Sequence, residues 1–300
     1  MQDYSLEIIE KQLKERLINE LTRSGLLFRL FSRVKDKTSI LEKFDRKNYT
    51  SDGDLMQDLF GFRITTYFSD DVKIVVELCQ KLFEKVELIY DDPEIDVFKP
   101  LRKNMICKLP KDLSTTFEEF KSRNKKFSLI DETFEIQFRT TLSEGWHEVD
   151  HLMRYKCKTD WVDLNTESRM LNGIYATLET NDQALKALFD DISYQHYKAK
   201  RWEAMIRNQF RLRFTLHPLD LKIVNYLNTN PKVGKRIFKL NRKKIIDTYI
   251  NSTLTVPITF NSFVYFVNYC YLKDKTITEL TPPIFLEELE LSITEENINK

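Results

Sequence analysis

Glycine is scarce in this chain, with 6 in 300 residues. None falls in a GxGxxG or GxxxxGK[ST] pattern, which removes the glycine-rich phosphate loops of dinucleotide-binding and Walker-type sites. Cysteine is also sparse. The four, Cys79, Cys107, Cys157 and Cys270, lie far apart and form no CxxC pair. That argues against a structural zinc site and against a disulfide framework. No apolar run approaches the ~20 residues of a membrane span, so no membrane partner is expected. The first residues, MQDYSLEIIEKQLKERLINE, read as an amphipathic charged helix rather than a signal peptide, and a cytoplasmic protein is expected. Charge of one sign is missing as well. Lys and Arg total 47 against 46 Asp and Glu, a net charge of +1, which excludes bulk attraction to nucleic acid or membrane. Charged residues are 31% of the chain, so local patches remain available.

What is present suffices for a core: 42% of the residues are hydrophobic, enough for one large or two ordinary domains. Leu6, Ile9, Leu13, Leu17 and Leu21 recur at helical spacing over residues 4 to about 24. SGLLFRLFSRVK reads as a strand, SILEKFDRK as a short helix and TSDGD as a turn. LFGFRITTYF is a strongly apolar strand. Ser69 is placed to cap a helix that has Asp70 and Asp71 in its first turn. KVELIYD, NMICKLP and DETFEIQFRTT are further strands, residues 111–126 a short helix and loop, and Leu142–Lys156 a helix. Irregular mixing of strands and helices predicts α+β. After Trp161 the pattern turns helical. One or two long helices cover 166–210. Three short helical pieces follow, with TNP and Gly234 as punctuation, then an aromatic segment TFNSFVYFVNYCYL and an acidic tail. The expected division is residues 1–160 and a mainly helical region 161–300.

Three stretches carry possible chemistry. In SRVKDKTSILEKFDRK, Arg33, Lys35 and Lys37 are two apart, as on one strand face, and Ser39 and Lys43 are four apart, as on one helix face. Together they predict a basic corner at a strand–helix junction that suits polyphosphate. In DLFGFRI, Asp58 leads into a buried strand, where a carboxylate suits a hard metal ion. Arg63 lies within that strand, and a buried arginine requires either a salt bridge or a substrate phosphate. In FEIQFRTTLSEGWHEVDH, Phe134, Ile136 and Phe138 alternate with Glu135, Gln137 and Arg139, so one face is apolar and the other polar. A following helix bears His147, Glu148, Asp150 and His151. Alone, each stretch also fits a solvated face or an ordinary cap. Together they are the parts for metal-assisted phosphoryl or pyrophosphoryl transfer.

SRVKDKTSILEKF, DLFGFRITTYFSDDVK and FEIQFRTTLSEGWHEVDHLMRYK, in this order over about Leu26 to Lys158, resemble successive blocks of the RelA/SpoT synthetase domain, nearest to its small, single-synthetase branch. The resemblance implies a nucleotidyltransferase-like mixed sheet flanked by helices that moves pyrophosphate from ATP to a nucleotide 3′-hydroxyl with Mg2+. It implies that Arg33, Lys35, Ser39 and Lys43 contact ATP and that Gln137 and Arg139 lie beside the catalytic carboxylate; these two and Arg63, as the buried arginine that could meet a phosphate, are expected on the nucleotide side of the site. Asp58 matches the magnesium-binding acid. Glu135 matches the catalytic carboxylate, as base or second metal ligand. His151, Tyr155 and Lys156 match the helix motif after that strand.

One departure from the family pattern concerns the acceptor. Most synthetases have a Tyr-x-Ser-x-His loop whose tyrosine stacks on the acceptor guanine. Here FKPLRKNMICKLP stands in its place, with Arg102, Lys103 and Asn104 and with neither tyrosine nor histidine. Acceptors in view are GDP or GTP, an adenine nucleotide, or the 3′ end of tRNA as in a toxin-like synthetase. The rival reading is a non-catalytic nucleotide-binding or partner-binding module on the same fold; retention of both Asp58 and Glu135 speaks against it. Oligomeric state and the role of residues 161–300 are left open.

Overall fold

The computed structural model describes residues 4–47, 49, 53–91 and 101–294. The chain forms two compact units, Met1–Glu20 with Phe28–Asp182, and Leu21–Leu27 with Gln183–Lys300.

The first unit is α+β. Its elements run α1 (Tyr4–Arg23), β1 (Phe28–Val34), α2 (Lys37–Lys47), β2 (Phe60–Thr66), α3 (Asp71–Leu82), β3 (Lys85–Tyr90), β4 (Lys103–Lys108), α4 (Lys111–Ser122), β5 (Thr133–Thr140) and α5 (Thr141–Val149). The strands make one sheet in the order β1-β2-β5-β4-β3. The central β2–β5 pair is parallel and the other pairings are antiparallel. Period-two alternation explains how the sheet sits. Phe60, Phe62 and Ile64 of β2 and Phe134, Ile136 and Phe138 of β5 are all buried. Their rings interlock, Phe62 with Phe134 at 5.7 Å and Phe60 with Phe117 of α4 at 6.3 Å. Phenylalanines in such a core stabilise the fold by about 1.5–3 kcal/mol each through area removed from water. The opposite face keeps its polar residues, Glu135, Gln137 and Arg139 among them.

Three local expectations change. The helix after β2 begins at Asp71, with Asp70 rather than Ser69 at the cap and no side-chain capping bond. Backbone turns Asp71 N–H to Phe68 O and Val72 N–H to Ser69 O do that work instead. The helix expected over 142–156 is α only to Val149, then widens into a π-helical turn, Asp150–Tyr155. Arg33, Lys35 and Lys37 do not share a strand face, because β1 ends at Val34 and Lys37 opens α2. The turn expected at TSDGD includes residues 50–52, outside the described residues.

Helices continue with α6 (Asn165–Lys198), α7 (Trp202–Phe210), α8 (Leu221–Thr229), α9 (Pro231–Phe238), α10 (Arg242–Asn251), α11 (Phe260–Val267), α12 (Lys275–Leu280) and α13 (Pro283–Ser292). The aromatic segment is thus helical, with Phe260, Phe263 and Phe266 buried. Gly234 is not punctuation. It lies inside α9, where a Cβ would come within 2.3 Å of the Trp202 ring. Gly25 is the glycine whose backbone demands it, with φ 71° and Ile258 Cδ1 2.3 Å from where a Cβ would stand. Among the described residues no helix is long and apolar enough to cross a membrane.

Candidate active site

Strand register assembles the polar face into rows. Arg33 pairs across to Gly61 and Gly61 to Glu135; Phe31 pairs to Arg63, Arg63 to Gln137 and Gln137 to Asn104. Gly61 leaves the floor open between Arg33 and Glu135. Its missing side chain makes room for the Arg33 side chain, whose Nε would be 3.4 Å from a Cβ there. A cleft of about 200 Å³ lies at this place, lined by Phe31, Arg33, Gly61, Arg63, Gln137 and Glu148 among others.

Asp58 sits between two lysines. Its Oδ2 accepts from Lys35 Nζ and its Oδ1 from Lys43 Nζ, each at 2.7 Å. Burial alone would raise the Asp58 pKa, but the hydrogen bonds and charges of the two lysines outweigh it, and the carboxyl titrates below its ordinary value. Lys43 reaches Asp58 from α2 and Lys35 from just beyond β1, so two of the cations expected at this corner meet around an acid. Ser39 is engaged by Asp36: its hydroxyl donates to Asp36 at 2.7 Å, and Asp36 also accepts the Ser39 N–H at 2.9 Å, as a helix cap does.

Glu135 is held by neutral donors. Asn104 Nδ2 donates to Oε1 at 2.8 Å and Gln137 Nε2 to Oε2 at 3.1 Å. Gln137 in turn accepts from Arg63 Nε at 3.2 Å. Asn104, expected on the acceptor side, therefore orients the carboxylate. Arg63 takes the salt-bridge alternative, donating to Glu144 at 2.7 Å and also to Glu148. Glu144 and Glu148 enter from α5 and were not singled out as its partners from sequence. Their i, i+4 spacing was the available signal.

Arg139 lies deeper. Its Nε is buried without a hydrogen-bond partner. Burial, then repulsion from Arg63, lowers its pKa. His147 is pushed down to about 3 by burial and then by Arg139 and Arg63, so the imidazole is neutral. His151, stacked on Tyr155 at 5.8 Å, is also lowered, first by burial and then by Lys156 and Arg33. His151 and Lys156 thus belong to the electrostatic surroundings of the cleft. Arg102 pairs with Asp91 at 2.9 Å, and Lys103 Nζ lies 5.2 Å from the Tyr90 ring centre. The positive charge expected at this edge is therefore half neutralised.

Residues 32–160 match the family model described as "Region found in RelA / SpoT proteins". The chain carries a RelA/SpoT region. No curated protein matches the chain. Among solved structures, small alarmone synthetase 2 from Bacillus subtilis is 19% identical, over 62% of this chain and 92% of that one, with a TM-score of 0.45. Small alarmone synthetase 1 from the same organism, bound to its product pppGpp, is 23% identical over 61% and 89%, with a TM-score of 0.43. The smu.1046c protein of Streptococcus mutans UA159 is 22% identical over 63% and 94%, with a TM-score of 0.45. The matched residues run from within β1 to just beyond the π-helical turn, so they include Arg33, Asp58, Arg63, Glu135 and His151 alike.

Proposed function

We propose that the first unit is an ATP-dependent pyrophosphokinase that transfers the β,γ-pyrophosphate of ATP to a ribose 3′-hydroxyl. One observation carries this reading: within a RelA/SpoT region, the Glu135 carboxylate is fixed by the side-chain amides of Asn104 and Gln137, and it pairs across to Gly61 of a cleft lined by Arg33 and Arg63. A carboxylate fixed in that way is suited to receive a proton. In this reading Glu135 takes the proton of the acceptor hydroxyl as its oxygen bonds to the β-phosphorus, the bond from that phosphorus to the α-phosphate oxygen breaks, and AMP leaves. Lys35, Lys43 and Arg33 hold the triphosphate, and Arg139 offers an unpaired N–H to an anion.

Asp58 and Glu135 supply hard carboxylate oxygens with lone pairs beyond those already engaged, a donor set that fits Mg2+. When bound, Mg2+ would neutralise charge on the phosphates. Among the described residues no group of three or more metal-ligating side chains lies together, so phosphate and water would complete the shell.

The acceptor class is a ribonucleotide, either free GDP, GTP or an adenine nucleotide, or the 3′ end of tRNA. Incubation with labelled ATP, Mg2+ and this panel, followed by product separation, identifies it. Glu135→Gln is expected to lose ~10²–10⁴-fold in transfer while binding ATP normally. Transfer at the unaltered rate, or no transfer to any acceptor by the unaltered protein, would refute the proposal.

A further inference from the structure

We propose that the second unit holds a binding surface for single-stranded RNA, built on the end of α6 and on α9. The first observation is a charge asymmetry. From Leu221 to Ile246 the chain has eight lysines and arginines and no aspartate or glutamate, although the whole protein is balanced to within one charge. The second is how folding arrays part of that charge. Lys232, Lys235 and Lys239 follow at i, i+3 and i+7, which puts them along one side of α9 and the residue that ends it. All three are exposed, and none has an ion-pair partner among the described residues.

The third observation distinguishes a nucleic-acid surface from a plain solvated face. Phe238 lies one turn beyond Lys235. Its ring stacks on Tyr197 at 5.1 Å and lies 6.1 Å from Tyr194, both on α6. Lys198, one turn after Tyr194, places Nζ 5.9 Å from that ring centre. Tyr194 is 43% exposed. Tyr197 and Phe238 occupy each other's faces, so Tyr194 is the ring of this cluster exposed for a base, on the element that packs against the row of lysines; an exposed ring and unpaired ammonium groups are what a single strand needs, with a base to stack and phosphates to neutralise. The site is anchored below by Trp202, which donates to Asn228 Oδ1 at 2.9 Å and fills the space that Gly234 leaves open. Of the two acids that precede Tyr194 by about one turn, Asp190 pairs with Arg211 at 3.1 Å and Asp191 is exposed.

This surface stands apart from pyrophosphate transfer and is tested without ATP. A fluorescein-labelled single-stranded RNA of mixed sequence is titrated with the full chain by anisotropy across a salt series. Expected is binding whose log Kd rises with log salt, by roughly 0.7 per phosphate neutralised. Lys235→Glu with Lys239→Glu should weaken it at least about tenfold and flatten the slope. Tyr194→Ala should weaken it about five-fold or more at every salt concentration, as loss of base stacking does. Lys73→Glu, on α3 of the first unit, should leave it unchanged, and thermal melts confirm that the variants fold. Absence of binding at moderate salt, or equal affinity in all variants, would overturn the proposal. So would a loss in the lysine variant with none in Tyr194→Ala, together with equal binding of a baseless polyphosphate, because that would be charge without a strand. Tighter binding of duplex than of single strand would equally reject it.

Discussion

Asp58→Asn tests the basic corner most directly. The wild-type carboxylate draws two lysines to 2.7 Å, and all three side chains are largely withdrawn from water, at 26%, 16% and 17% exposure. Removing only the negative charge leaves two ammonium groups close together and unneutralised. Breaking a fully buried pair costs ~3–5 kcal/mol; with water still reaching this cluster, about 2 kcal/mol is expected. In a unit of this size that lowers Tm by roughly 4–8 °C. The pH dependence has a definite sign. Because the folded pKa is depressed, the wild-type contribution is complete above the unfolded value near ~3.9 and is lost as pH falls through the folded value. The difference between variant and wild type should therefore vanish in acid. The same lysines, released from Asp58, become available to phosphates. With metal chelated, Asp58→Asn should bind ATP about 5–30-fold more tightly, corresponding to ~1–2 kcal/mol of removed competition, although transfer with Mg2+ is lost. Calorimetric titration of ATP in chelator, with melting curves at neutral and acid pH, measures both. An unchanged Tm together with weaker metal-free ATP binding would refute the picture of two lysines held in reserve by an acid.

Glu148→Gln should free Arg63 from one of its two acidic partners and tighten ATP binding several-fold with little change in stability, since Glu148 is half exposed and such pairs are worth ~0–1 kcal/mol. Weaker binding would mean that Glu148 itself contacts the nucleotide. His147 is neutral in the folded state with a pKa of about 3. Its depressed value means that stability is complete above the unfolded value of ~6.5 and is lost as pH falls toward the folded one, by at most ~1.4 kcal/mol per pH unit. His147→Phe should flatten the stability curve between those limits in denaturant titrations. Gly234→Ala should destabilise the second unit by ~1–3 kcal/mol despite the better helix propensity of alanine, because the added methyl meets Trp202; calorimetry of the full chain should show the loss.

Which residues share a face at the candidate site was legible in local pattern. Alternation in FEIQFRT reports which residues face the core, because side-chain period in a strand is a property of neighbouring residues alone. The structure buries Phe134, Ile136 and Phe138 accordingly and leaves Glu135, Gln137 and Arg139 on the other face. The long amphipathic α1, the three short helices after Leu221 and the α+β character are local in the same sense. What local pattern did not contain is which charge meets which. Asp58 finds Lys35 and Lys43, Arg63 finds Glu144 and Glu148, and Asn104 finds Glu135 only because strand register and the docking of α2 and α5 bring distant positions together. The basic residues at the start of α2 show the limit clearly. Spacing by two put Arg33, Lys35 and Lys37 on one strand face, but the chain leaves the sheet after Val34 and turns through Asp36, whose carboxylate caps α2 and claims Ser39. Gly234 shows it again. As sequence it reads as a break, and as structure it is the space into which Trp202 fits. Periodicity determined the faces; only tertiary packing decided the partners, because an ion pair depends on a distance through space that sequence spacing does not encode.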